Sequence, residues 1–127
     1  MRYKKIKVPV YDWQILYIRI ESKEDIKEFN KVVKNFGFNS EIDFELDKDN
    51  ITNDKFDGGC CTYNDGYKKM VIVVYRCENF NELMSVLFHE CDHAVWNILE
   101  HCNVNDKEAR AYLSGYIGTQ LCKDIQV

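Results

Sequence analysis

The chain has 127 residues, of which 46% are hydrophobic and 30% charged, with 17 basic and 21 acidic side chains for a formal net charge of −4. That balance suits one globular domain with a real core; it excludes collagen-like repeats and argues against disorder and membrane embedding. Beyond Lys4, Lys5 and Lys7 no basic block stands out, and a general nucleic-acid grip relies on a basic stripe, so no nucleic-acid partner is expected.

No apolar run is long enough to span a bilayer, so no membrane partner is expected either. Met1 to Val10 carries basic residues without an apolar stretch followed by small residues, which reads as the absence of a secretory signal and predicts a cytoplasmic protein. The six cysteines, at 60, 61, 77, 91, 102 and 122, then read as thiols in a reducing compartment. None forms a CxxC pair, which argues against a cysteine-type zinc knot, and most read as small apolar fillers.

In chain order the pattern predicts strand, helix, hairpin, helix, helix in one compact unit. From Trp13 to Ile20, Leu16, Ile18 and Ile20 point one way and Ile15, Tyr17 and Arg19 the other, with the β-branched and aromatic enrichment of a strand. Ser22, three residues before Asp25, reads as a capping start for a helix bearing Ile26, Phe29, Val32, Val33 and Phe36, which Gly37 ends. Asn39 to Asp57 reads as an acidic loop, or a loop with a short strand near Ile42 to Leu46. Its Asp47-Lys48-Asp49 is no calcium loop, because Ile51 and Thr52 stand where a ligand and the turn glycine belong. Gly58 to Tyr63 can form a strand, and Asn64-Asp65-Gly66 is a strong hairpin turn. Met70 to Tyr75, unbroken and apolar, reads as a central strand covered on both faces, which puts Gly59 to Tyr63 nearer the sheet edge. Asn79 with Glu82 caps a helix from Phe80 to about Leu99 or Cys102, and Asn105 with Glu108 repeats the signature for a last helix ending near Lys123. The expected fold is α+β: a small sheet of about three strands packed on the fourth element, with two further helices.

That fourth element contains His89-Glu90-Cys91-Asp92-His93, an HExxH motif on a helix. Histidines four apart project from one face and can meet one zinc ion at about 2.0–2.1 Å each. Glu90 sits about 100° around the helix, beside the cation rather than on it, where it can take a proton from water that the cation activates. On the helical wheel Phe80, Met84, Leu87, Cys91, Val95, Ile98 and Cys102 cluster on one side, and His89, His93 and Trp96 lie opposite. A chance HExxH in a chain this short occurs roughly once in a few hundred. The competing readings are an exposed histidine pair on a solvated helix and a zinc site kept for stability alone.

A catalytic zinc needs a third protein ligand and an open position. Glu100 and His101 lie some 10–12 Å up the axis from His93 if the helix continues. Asp92 points well around from both histidines. Glu108, on the next helix, is the better candidate, although a strict antiparallel hairpin would set it near Leu99. It reaches His93 only if the active helix ends early or the two helices cross steeply. The alternative is that Glu108 merely caps its own helix.

The stretch HECDHAV, followed by Asp106-Lys107-Glu108-Ala109-Arg110-Ala111-Tyr112-Leu113, resembles the small HExxH metallopeptidase-like proteins of phages and mobile elements. More distantly it is similar to the ImmA/IrrE-type and gluzincin groups. The likeness covers about Gly58 to Tyr116. It implies a minimal zincin-like domain in which His89, His93 and Glu108 hold zinc and Glu90 is the general base. It also implies that the strand carrying Gly59, Cys60 and Cys61 forms a rim where a peptide or protein substrate adds as a further strand, with Gly58 and Gly59 allowing close approach. Many gluzincins carry an acidic residue one turn after the ligand glutamate. Here Tyr112 stands in that place, and its hydroxyl either bonds a histidine, bonds the substrate oxyanion, or is simply the wet end of a core tyrosine.

The leading reading is therefore a zinc-dependent metallopeptidase. A nucleophile-based enzyme using Ser85, Cys60 or Cys61 finds no recognisable motif around those residues. The non-enzymatic alternative is a catalytically inactive zinc-binding or host-factor-binding module of phage or mobile-element origin.

Overall fold

The computed structural model describes residues 1–40, 43–44 and 58–123. The expectations for the rest of the acidic stretch, including the short strand and the Asp47–Asp49 string, lie outside the described residues.

The fold is α+β, with a four-stranded mixed sheet and three helices. The strands are β1 (Arg2–Val8), β2 (Trp13–Ile20), β3 (Gly59–Asn64) and β4 (Lys69–Tyr75). Their order across the sheet is β1-β2-β4-β3, with β1 and β3 each antiparallel to their neighbour and the central β2 and β4 parallel. A helix α1 (Ile26–Phe36) covers one face. The helices α2 (Phe80–His101) and α3 (Lys107–Cys122) cover the other. No helix among the described residues is long and apolar enough to cross a membrane.

Burial explains why the two middle strands read as they do. Leu16, Ile18, Ile20, Val71 and Val73 pack with Phe29, Val33 and Phe36 of α1. Ile15, Tyr17, Met70, Ile72 and Val74 pack with α2 and α3. With both faces covered, β4 is apolar at every position from Met70 to Val74.

The expectation of about three strands falls one short. β1 was not foreseen, because in Arg-Tyr-Lys-Lys-Ile-Lys-Val only Ile6 and Val8 are buried. Such a lysine-studded edge strand shows little apolar alternation, and its charges discourage pairing with another chain.

The start of α1 follows its capping signature through a short 3-10 turn, Lys23–Asp25. The Asp25 carboxylate accepts the backbone N–H groups of Glu21 at 2.8 Å and Ser22 at 3.1 Å. Burial alone would raise its pKa, but these bonds and the Met1 ammonium outweigh it and hold the carboxyl below its ordinary range. A lowered carboxyl pKa stabilises the fold above the unfolded-state value and loses that effect as pH falls through the folded one. Asp25→Ala should therefore cost about 1 kcal/mol at pH 7. The wild-type advantage should shrink as the pH drops through and below the carboxylate range, which thermal melts at pH 7 and pH 3 would read.

α1 ends at Gly37, whose φ of 102° is left-handed. The Gly37 N–H bonds Lys34 O at 3.0 Å and the Phe38 N–H bonds Val33 O at 2.9 Å, closing the last turn.

At α3 the cap is displaced by one residue. Asp106, not Asn105, accepts the N–H groups of Glu108 at 2.8 Å and Ala109 at 3.0 Å. An ionised Asp at a helix start interacts more favourably with the helix dipole than a neutral Asn would.

Candidate metal centre

Eight side chains seat α2: Leu83, Leu87, Glu90, Cys91, Ala94, Val95, Ile98 and Leu99. This face is rotated from the expected one. Phe80 is half exposed, while Glu90 is inside at 3% exposure. Alanine at 94 and the short contacts to β3 draw that side of the helix onto the sheet. His89 and His93 stay exposed on the opposite side, as the wheel requires.

The two imidazoles converge. Nε2 of His89 and Nε2 of His93 lie 3.2 Å apart, with ring centroids at 4.7 Å and planes at 77°. Two nitrogens bound at about 2.0–2.1 Å to one tetrahedral zinc stand about 3.3 Å apart, so the pair fits that ion as it is. Neutral rings can also share one N–H···N bond at this spacing, and a cation taken up here replaces that proton.

Glu90 lies below the pair, between α2 and β3. Its Oε2 is buried and has no hydrogen-bond partner among the described residues. Burial pushes its carboxyl pKa up, opposed by the two nearby histidines. An unpartnered buried carboxyl oxygen is costly, and such groups concentrate where chemistry is done. A cleft of about 280 Å³, lined by Gly58, Gly59, Ser85, Val86, His89 and Glu90, opens over it.

Gly59 explains how Glu90 comes so close to the sheet. A Cβ there would overlap the Val73 carbonyl oxygen and would stand 3.2 Å from Val86 Cγ1 and 3.4 Å from Glu90 Cγ. The bare Cα therefore serves the packing of α2 on β3. Gly59→Val should cost about 1–3 kcal/mol or more, because the obstacle is backbone and cannot swing aside; a lowered melting temperature, set against an unchanged Gly66→Ala control on the exposed turn, checks this.

Cys60 and Cys61 point to opposite faces of β3. Cys60 packs on the α1 side and Cys61 on the α2 side, with Cys61 Sγ 3.9 Å from Met70 Sδ. Withdrawal from water pushes the Cys61 thiol well above its ordinary range, and the charge of Glu90 adds to this. A thiol so protonated is a poor nucleophile, so Cys61 presents backbone to the rim rather than reactive sulfur.

Glu108 is on the exposed first turn of α3 and the structure does not bring it to the histidines. Among the described residues, no third His, Cys, Asp or Glu forms a metal-holding group with them. The reason is the length of α2, which runs to His101 rather than ending early. Its contacts with α3 pair Asp92 with Arg110 at 3.5 Å and Cys91 with Ser114 O at 3.8 Å. Tyr112 is 66% exposed and lines a small crevice with Val8–Tyr11 and Tyr116, and its hydroxyl bonds neither histidine among the described residues.

Other groups around the pair went unread in the sequence. Arg110 is held by Asp92 and lies over the Trp96 ring, 4.9 Å from its centroid. Asp92 and Trp96 are four apart on α2, one turn above the other, a signal that the sequence does carry, but nothing in the spacing marks Arg110 as their partner. No family model matches this chain, and no curated protein or solved structure matches it.

Proposed function

We propose that this chain is a zinc-dependent metallopeptidase. The observation that carries the reading is the convergence of two exposed imidazole nitrogens 3.2 Å apart, with His89 lining the same cleft as Glu90, whose buried carboxyl oxygen has no hydrogen-bond partner among the described residues. His89 and His93 would hold the ion through Nε2; Glu108, the third donor that the motif resemblance implies, stands apart from them in the structure. Zinc, when bound, supplies Lewis acidity, bringing the pKa of water toward about 7 and polarising a carbonyl.

The chain's own residues do the rest. Glu90 accepts the proton of the attacking water on its carboxylate and passes it to the leaving amine as the peptide bond breaks. Among the described residues β3 pairs only with β4, so its outer edge can take a substrate peptide as a further strand lying along α2. The substrate class is thus a peptide or protein segment in extended conformation, and the six free thiols suit a reducing, cytoplasmic setting.

The test is metal removal. Protein prepared without chelator should carry one zinc per chain and cleave members of a fluorogenic peptide library. Dialysis against a chelator should abolish cleavage, and stoichiometric zinc should restore it. Zinc bound without any cleavage would leave the inactive-module alternative standing. In the same preparation Glu108→Ala tests that donor: zinc binding weakened by at least about tenfold would put Glu108 in the ligand set against its position in the structure, and unchanged affinity would remove it.

A further inference from the structure

Ser85, His89, His93, Trp96 and Glu100 form one exposed stripe along α2. β3 runs beside it in the same direction. Gly59 lies by Val86 and Glu90, and Asp65, just past the strand, reaches His101 at 3.7 Å. An extended peptide between β3 and the stripe would therefore follow the helix axis past the histidines.

Two hollows border the stripe. Before His89 lies the cleft of about 280 Å³, its walls shortened by Gly58, Gly59 and Val86. Beyond His93 lies a groove of about 580 Å³ between the end of α2 and the start of α3, with Trp96, Leu99 and Val104 as its apolar lining. Its rim carries Glu100 and Asp106 against Lys107 and Arg110, two charges of each sign, so it offers no net charge to a ligand. Trp96 is 52% exposed, although Arg110, itself tied to Asp92, covers part of its ring. The indole is thus a pre-positioned wall with open apolar surface, which suits a neutral, bulky side chain.

We infer that the Trp96 groove is the specificity pocket of this site and takes a large aromatic or branched aliphatic side chain within two residues of the scissile bond. The inference rests on the peptidase reading above. Trp96 lies about 4.5 Å beyond His93 along the axis, and an extended peptide advances about 3.3 Å per residue, which sets that register.

The experiment is a positional scan of fluorogenic peptides with the zinc-loaded protein and its Trp96→Ala variant. At one position Phe or Leu should exceed Ala by at least about tenfold in kcat/KM. Trp96→Ala should erase that preference, lowering kcat/KM for the Phe or Leu peptide at least about fivefold more than for the Ala peptide. A uniform loss over all peptides, or a preference that survives the substitution, overturns the inference.

Should the wild type cleave no peptide, the peptidase reading fails by itself, and the pocket is decided by binding. A Phe/Ala pair of otherwise identical hexapeptides is titrated into the Glu90→Gln protein and followed by tryptophan emission. Trp13 is 1% exposed, so an emission shift reports Trp96. The Phe peptide should bind at least about tenfold more tightly and shift the emission; equal affinity, or binding of neither peptide, overturns the inference.

Discussion

Glu90→Gln should leave one zinc bound per chain and lower peptide turnover by about a thousandfold. The amide keeps the volume and shape of the carboxyl, so the packing against Gly59 and Val86 survives. It cannot accept and return a proton, and that step contributes typically 10²–10⁴-fold. The histidines are untouched, which separates loss of chemistry from loss of metal. The substitution also replaces a buried, charge-bearing side chain by a neutral one of the same shape, although the amide finds no more partners among the described residues than the carboxyl does. The metal-free variant should therefore melt no lower than the wild type. Retained turnover would strip Glu90 of its role as base, and a parallel fall in zinc content would make it a determinant of the ion's site instead.

His89→Ala and His93→Ala should each weaken zinc binding by at least about a hundredfold. Either change leaves one imidazole where the geometry needs two. Both side chains are exposed on the face of α2 turned away from its packing. The cost in stability should stay within about 0.5 kcal/mol, as for surface substitutions in general. The third histidine is the control. His101 faces Asp65 at 3.7 Å and stands edge-on to Trp13 at 5.3 Å, away from the pair. Its replacement by Ala should leave zinc affinity unchanged. Competition against a chromogenic chelator, with circular dichroism to confirm the fold, measures all three. A site that binds zinc equally well in His89→Ala or His93→Ala would refute the assignment of the ion to this pair.

Those parts of the fold with strong local chemistry are readable from residues alone. The Asn79 cap, whose side chain accepts the Glu82 N–H at 2.9 Å, and the 22-residue α2 follow from pattern. So do the doubly covered β4 and the left-handed Gly37. In the site, the convergence of His89 and His93 follows from four-residue spacing on any regular helix. What escapes the reading depends on three-dimensional partners. β1 is held by pairing with β2 and by only two buried side chains, so its own pattern is faint. The one-residue choice between Asn105 and Asp106 as cap turns on the path of the preceding turn, where Asn103 has a left-handed φ of 55°. The burial of Glu90 depends on Gly59, thirty-one positions earlier, lacking a side chain. The relation of Glu108 to the histidines depends on where α2 stops and how α3 returns along it, which helical spacing does not encode.

The seating of α2 has a consequence for how the site would respond to chelation. Its buried face is clamped between the sheet and α3 by apolar contacts that involve no metal. Many small zinc domains collapse when stripped, because the ion itself organises their chain. Here the scaffold already holds the two rings at bonding separation, so little ordering entropy opposes uptake of the ion. Loading and stripping should thus be reversible events on a folded protein, with occupancy following the free zinc around it rather than the history of its folding.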